Sequence, residues 1–213
     1  MERSKRFSTA AIIFLAVFHE IGLVGLHLEA TKSVFQMLIP LNLLLSIGVL
    51  AFFHREWTSK FGIFAFVVFW AGYLVELLGV QTGVIFGEYA YGSALGIKIA
   101  GVPPMIGVNW LLLTYITAIT AQKLSSNLWM RATLGAAFMV ILDFLIEPMA
   151  IRYDMWTWAG DSIPAQNFFA WFVIAWGMQY GFHNLHQEKS NPVATPLYLI
   201  QLVFFLSFLI IDG

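Results

Sequence analysis

Apolar residues in this chain gather into long runs, separated by short polar breaks and by two longer segments rich in Gly, Pro, Trp and Tyr. A helix needs about 20 mostly apolar residues to cross the hydrocarbon layer of a membrane. Seven runs approach that length, at residues 8–28, 34–53, 61–79, 104–122, 128–149, 165–182 and 195–211. They predict an all-α polytopic bundle of about seven transmembrane helices, forming a single transmembrane domain over residues 1–213. The two longer connections, 80–103 and 150–164, fall on the same side of the membrane by an even/odd count. The first run follows Arg3, Lys5 and Arg6 like the start of a signal peptide, but it is long and has no small-residue cleavage site, so it reads as a span.

Composition agrees with the pattern. Of 213 residues, 60% are hydrophobic and 11% charged, where a soluble domain carries roughly a quarter charged. The net charge of −1 lacks the basic footprint of a nucleic-acid-binding protein. With no Cys, the chain has no disulfide, thiolate nucleophile or Cys-held metal centre. The basic residues also orient it. A cytoplasmic N-terminus puts Arg3, Lys5, Arg6, Arg55, Lys60, Lys123, Arg131 and Lys189 inside and only Lys32, Lys98 and Arg152 outside, a positive-inside arrangement with both long loops on the outer side.

Ionisable side chains inside such spans are costly, at least ~2.5 kcal/mol each on the mildest scale, and mark function by default. His19 and Glu20 lie past the middle of the first span, Glu76 late in the third, and Asp143 and Glu147 in the last half of the fifth. All fall in the outer half of the bilayer, on the side of the aromatic loops. Asp143 and Glu147 are four apart and share a helix face. Two such carboxyls in a low dielectric do not both ionise readily, so one is expected to hold a proton near neutral pH and serve as a general acid. The competing reading is structural, with the carboxyls bonded to Trp, Tyr or Asn and fixing helix packing.

His19 and Glu20 are consecutive and point about 100° apart, so at most one faces a central cavity. Glu20 is the preferred candidate, because a lone His among apolar neighbours is more often a bonded packing residue. His183 and His186, beside Glu188, have a spacing able to hold a metal, but they fall on the cytoplasmic side and read as a solvated loop. Glu88 and Asp161 also read as solvated loop residues.

The segment from Glu76 to Trp110 interleaves Gly79, Gly83, Gly87, Gly92, Gly96 and Gly101 with Phe86, Tyr89 and Tyr91, and predicts an irregular, partly embedded loop capping a cavity. Over residues 76–171 the chain resembles the membrane carotenoid-biosynthesis proteins, whose characterised members are carotenoid 1,2-hydratases. The resemblance is carried by Glu76, Gly79, Thr82-Gly83, Phe86-Gly87-x-Tyr89-x-Tyr91, Leu95-Gly96, Gly101-Val102-Pro103, Trp110, Asp143, Pro148, Trp156-x-Trp158, Ile163-Pro164, Asn167 and Trp171. Ala170 stands where that pattern has a Gly.

The resemblance implies addition of water to the terminal C1=C2 double bond of an acyclic carotenoid end, giving a tertiary alcohol with no cofactor or metal. Such chemistry needs a dry proton donor near C2, stabilisation of a tertiary cation at C1 and a positioned water. Asp143 and Glu147 are the expected acid–base pair, with Glu76 a third member and Glu20 a supporting carboxyl. Tyr89, Tyr91, Trp110, Trp156 and Trp158 are candidates to stabilise the cation through their ring faces, each with a membrane-belt or packing alternative. Asn109 and Asn167 are candidates to bind the water or a carboxyl. The implied partners are a hydrophobic carotenoid and membrane lipid, in a bacterial or archaeal cytoplasmic membrane. The polyene is about as long as the bilayer is thick and is expected to enter sideways between helices.

Competing readings are an end cyclase that protonates the same polyene end, a non-catalytic carotenoid- or lipid-binding membrane protein, and a proton-coupled transporter. The transporter lacks an evident two-halves repeat. A retinal protein is excluded because the seventh run has no Lys for a Schiff base.

Overall fold

The computed structural model describes residues 2–185 and 190–212, with side chains described over 5–160, 162–185 and 190–211. His186, Glu188 and Lys189 lie outside the described residues, as do the side chains of Arg3 and Asp161.

Each apolar run becomes helix. In chain order these are α1 (Glu2–His27), α2 (Lys32–Met37), α3 (Ile39–Phe53), α4 (Ser59–Thr82), α5 (Met105–Ala121), α6 (Leu128–Arg152), α7 (Ala165–Leu185) and α8 (Ala194–Asp212). Polar caps begin two of them: Thr58 Oγ1 accepts from Phe61 N at 3.2 Å for α4, and Asn127 Oδ1 accepts from Met130 N at 3.0 Å for α6. Gly83, at φ +65°, takes up the left-handed conformation that ends α4.

The second run departs from expectation. Instead of one span over 34–53 it forms two helices, divided at Leu38. Pro40 is the reason: it has no amide hydrogen to continue the ladder from α2, and it suits the first turn of a new helix.

Among the described residues, four helices are long and apolar enough to cross a membrane, over Lys5–His27, Ser59–Thr82, Leu128–Arg152 and Ala194–Ile211. Helices α3 and α5 are apolar but shorter. The outward faces carry large apolar side chains, among them Phe52 at 79% exposure and Phe66 at 66%, a surface suited to lipid rather than water.

Helix α5 is the axis of the assembly, buried continuously from Leu112 to Ala121 and flanked by α3, α4, α6, α7 and α8. Its threonines meet their own backbone, Thr117 Oγ1 donating to Leu113 O and Thr120 Oγ1 to Ile116 O, each at 2.7 Å. Gln179 of α7 donates Nε2 to Thr117 Oγ1 at 2.7 Å and to Thr114 O at 3.1 Å, fixing α7 against α5. At one end of the bundle Asn191 Nδ2 donates to Leu50 O and Tyr115 Oη, tying the α7–α8 connection to α3 and α5.

The two long loops, the first of them expected to be irregular, pair with one another. Tyr89–Tyr91 (β1) and Trp156–Trp158 (β2) form an antiparallel ribbon with Tyr89 opposite Trp158, Ala90 opposite Thr157 and Tyr91 opposite Trp156. Alternation along each strand leaves Ala90 and Thr157 exposed and turns both tyrosines and both tryptophans to the other face. Beyond the ribbon, Asp154 Oδ2 accepts from Ser93 N at 2.8 Å and Ser93 Oγ at 2.7 Å, fastening one loop to the other.

Candidate active site

The inward face of the ribbon closes a cavity of about 290 Å³ bounded by α1, α2, α3, α4, α5, α6, α7 and α8. Its wall is mostly apolar, with Phe18, Leu43, Phe86, Leu113, Leu142 and Phe204 among its residues. Into this wall project Glu76, Asp143 and Glu147, each less than 5% exposed.

Every one of these carboxyls is held by donors. Tyr89 Oη and Tyr91 Oη donate to Glu76 Oε2 at 2.6 and 2.7 Å, and Trp110 Nε1 donates to Glu76 Oε1 at 3.1 Å. Trp156 Nε1 and Trp158 Nε1 donate to Glu147 Oε2 at 3.0 and 2.9 Å. Asn167 Nδ2 donates to Asp143 Oδ2 at 3.0 Å. The ribbon's register decides this pattern, since its four polar aromatics reach two carboxyls on two different helices, the tyrosines α4 and the tryptophans α6.

Position along the helices does the rest. Asp143 and Glu147 lie one turn apart on α6 and face the same cavity. Gly72 lies one turn before Glu76 on α4, and a Cβ there would sit 2.5 Å from Trp110 Cβ and Cγ. The missing side chain lets the α5 indole approach α4 closely enough to reach Glu76. Trp171 of α7 stacks on the same indole, with ring centres 3.9 Å apart and planes 11° from parallel.

Ten of the eleven site residues expected from sequence border the cavity or bond to a carboxyl in it: Glu76, Asp143, Glu147, Tyr89, Tyr91, Asn109, Trp110, Trp156, Trp158 and Asn167. Glu20 does not. It is exposed on the far side of α1, while its neighbour His19 is 2% exposed and lines the cavity. The 100° step between them was expected to place only one inward; the histidine, not the acid, takes that place because the ring packs edge-on against Phe204 with centres 5.4 Å apart.

The polar edges of Tyr89, Tyr91, Trp110, Trp156 and Trp158 are committed to carboxyls, the bonding expected where the acids are read as structural. Glu88 is exposed and His183 sits near the end of α7, apart from the acid cluster. Sequence reasoning did not single out Gln201 or Asn42, which line the cavity, and it used Phe86 and Trp171 only as parts of a pattern. Periodicity carries no signal for Gln201, but the Tyr-x-Tyr and Trp-x-Trp spacings are the period-2 signature of paired strands.

The sequence profile of the carotenoid biosynthesis protein family matches residues 36–212, most of the chain. The chain belongs to this family. It is also 28% identical over 111 residues to the bisanhydrobacterioruberin hydratase of Haloarcula japonica, a match covering 47% of this chain and 37% of that relative's length. No solved structure matches it. This carotenoid biosynthesis protein has, in that relative, a distant hydratase homologue, and its apolar helices are those of a membrane protein.

Proposed function

We propose that this protein is a carotenoid hydratase that adds water across the terminal C1=C2 bond of an acyclic carotenoid end. The observation that carries the reading is the convergence of Glu76, Asp143 and Glu147 in one apolar cavity under the aromatic ribbon. Family membership and the distant hydratase relative point the same way.

In this reading the bundle crosses the membrane seven times, α2 and α3 together forming the second span. The N-terminus is cytoplasmic and the ribbon lies at the outer face of a bacterial or archaeal cytoplasmic membrane, in keeping with the distribution of basic residues. The cavity takes one end of the polyene. Glu76, receiving three donors and facing none left over, has the acceptor-only environment of a carboxylate. Among the described residues Asp143 receives one donor, on Oδ2, which leaves Oδ1 to carry the acidic proton. That proton passes to C2 and the tertiary cation forms at C1. Glu147, one turn away, is its counter-ion, oriented by two indoles. Apolar walls keep bulk water from the cation, so that a single positioned water captures it. No step calls for a cofactor.

Mass-resolved pigment analysis tests this in a carotenoid-producing bacterial host with lycopene or gamma-carotene backgrounds. The wild-type chain should yield a product heavier by one water, and Asp143→Asn, expressed to the same level, should lose at least a hundredfold of it, the scale of general-acid catalysis at ~10²–10⁴. A new pigment of unchanged mass would mean cyclisation instead, and no new pigment in either background would defeat the proposal.

A further inference from the structure

The wall formed by α1 and α8 carries two polar side chains that the three carboxyls do not touch. His19 of α1 and Gln201 of α8 both line the cavity, at 2% and 5% exposure. The two helices pack together, and the His19 ring sits against Phe204, one turn along from Gln201. His19 Nδ1 lies 2.8 Å from Leu15 O. A carbonyl only accepts, so Nδ1 carries the hydrogen, and Nε2 of the neutral ring is an acceptor with no partner among the described residues. Gln201 Oε1 is buried and likewise takes no donor among the described residues. Gln201 Oε1 has essentially no water-accessible surface and so lies behind the wall, whereas the His19 ring stands in a wall that is otherwise largely apolar. An acceptor in such a wall is costly unless something donates to it. The ligand that suits His19 Nε2 is small and carries an O–H donor.

We propose that His19 holds the water that adds to the carotenoid end, with Nε2 as its proton acceptor and the Gln201 side chain closing the wall beside it. The inference rests on the hydratase reading and completes it, separating proton delivery at Asp143 from water delivery at the α1–α8 wall. Asp143 gives its proton to C2, and the π electrons of C1=C2 form the new C–H bond, leaving the cation at C1. The water oxygen forms the C1–O bond, its O–H bond breaks and that proton passes to Nε2. Return of one proton to Asp143 restores both groups, and the sum is alkene plus water to alcohol. Histidine at this point lies outside the 36–212 stretch that matches the family, so the assignment comes from the cavity alone.

Deuterium separates the two half-reactions. Purified protein in lipid nanodiscs is given lycopene in D2O, and both the hydrated product and the deuterium in recovered lycopene are measured by mass spectrometry. Reversible protonation at C2 labels the recovered alkene even when no water is captured. His19→Leu should lower hydrated product at least tenfold while the label in recovered substrate stays within twofold of wild type. Asp143→Asn should lose both. His19→Asn, which retains a donor for the Leu15 carbonyl but has no acceptor at the Nε2 position, guards against misfolding and should behave like His19→Leu. Unchanged hydration in the His19 variants would overturn the water site and leave the hydratase reading intact, with Glu147 as the group that orients water. Parallel loss of label and hydration in variants that elute as monodisperse, folded protein would also overturn it. A wild-type chain that neither labels nor hydrates lycopene would remove the hydratase reading and this inference with it.

Discussion

Glu76 directs both oxygens at donors, and those donors come from the ribbon on one side and α5 on the other. A buried acceptor left without its donor costs ~1–3 kcal/mol, where an ordinary hydrogen bond contributes ~1 kcal/mol net. Tyr91 is 7% exposed and its hydroxyl reaches Glu76 Oε2 at 2.7 Å, so removing that oxygen leaves a buried carboxyl short of a partner. Tyr91→Phe should therefore destabilise the protein by about 2 kcal/mol, seen as a lower thermal midpoint in detergent, whereas Ala90→Thr on the outward face of the same strand should change it little. Equal effects of the two substitutions would mean that the hydroxyl does not brace Glu76. At this scale the candidate acids were legible, because a carboxyl in an apolar run is conspicuous in any sequence. Which of His19 and Glu20 faces inward was not, because consecutive residues on a helix carry the same hydropathy context and only the packing of α8 chooses between them.

Among the elements, helix α4 shows how one small residue sets a functional distance. Gly72 gives Trp110 a notch to occupy, and the indole then meets Glu76 one turn on. Gly72→Val should push the indole away, costing about 1–3 kcal/mol through overpacking and lowering turnover further by releasing Glu76. Thermal melting and pigment yield read the two effects separately. The loops carry a second element-scale device, the Asp154–Ser93 fastening. Hydrogen bonds from the Ser93 hydroxyl and amide hold the exposed Asp154 carboxyl below its ordinary value of 3.8. A depressed value means that the fastening stabilises the folded state above 3.8 and is lost as pH falls through the lower, folded-state value. Protection of the Ser93 amide against hydrogen exchange should accordingly fall below pH 3.8 in the wild-type chain and already be lost at neutral pH in Asp154→Ala. Protection that is independent of pH in the wild type would show that the carboxylate does not hold this loop.

On the scale of the whole molecule, the cavity reaches the outer surface of the bundle. Ile21 and Leu38 line it although they are 53% and 39% exposed, which places an opening between α1 and the α2–α3 break, on a face built for lipid. A polyene entering from the bilayer would pass there. Ile21→Trp and Leu38→Trp are expected to cut hydration at least tenfold with no loss of thermal stability, while Phe66→Trp, on the exposed side of α4, should leave it unchanged. Normal turnover in both of the first two variants would exclude this route.

The linear sequence by itself determined the helices, because apolar runs of span length have few alternatives in a bilayer, where each backbone group must be paired internally. It also made Glu76, Asp143 and Glu147 conspicuous, since a carboxyl in an apolar run is expensive to bury, though Glu20 stood out in the same way and is exposed. Only the tertiary structure decided what those acids do together. The pairing of Tyr89–Tyr91 with Trp156–Trp158 joins residues 65 to 69 positions apart, and hydropathy holds no record of a register. That register puts two hydroxyls on Glu76 and two indoles on Glu147. Pro40 was visible as a residue, but the break it makes became part of a cavity wall only when α2 and α3 packed beside α1. His19 and Gln201 lie 182 positions apart in the chain and enter one wall because α1 and α8 are neighbours in space. Local pattern is written in the order of residues, whereas a site is written in contacts between distant ones, and those exist only once the bundle has closed.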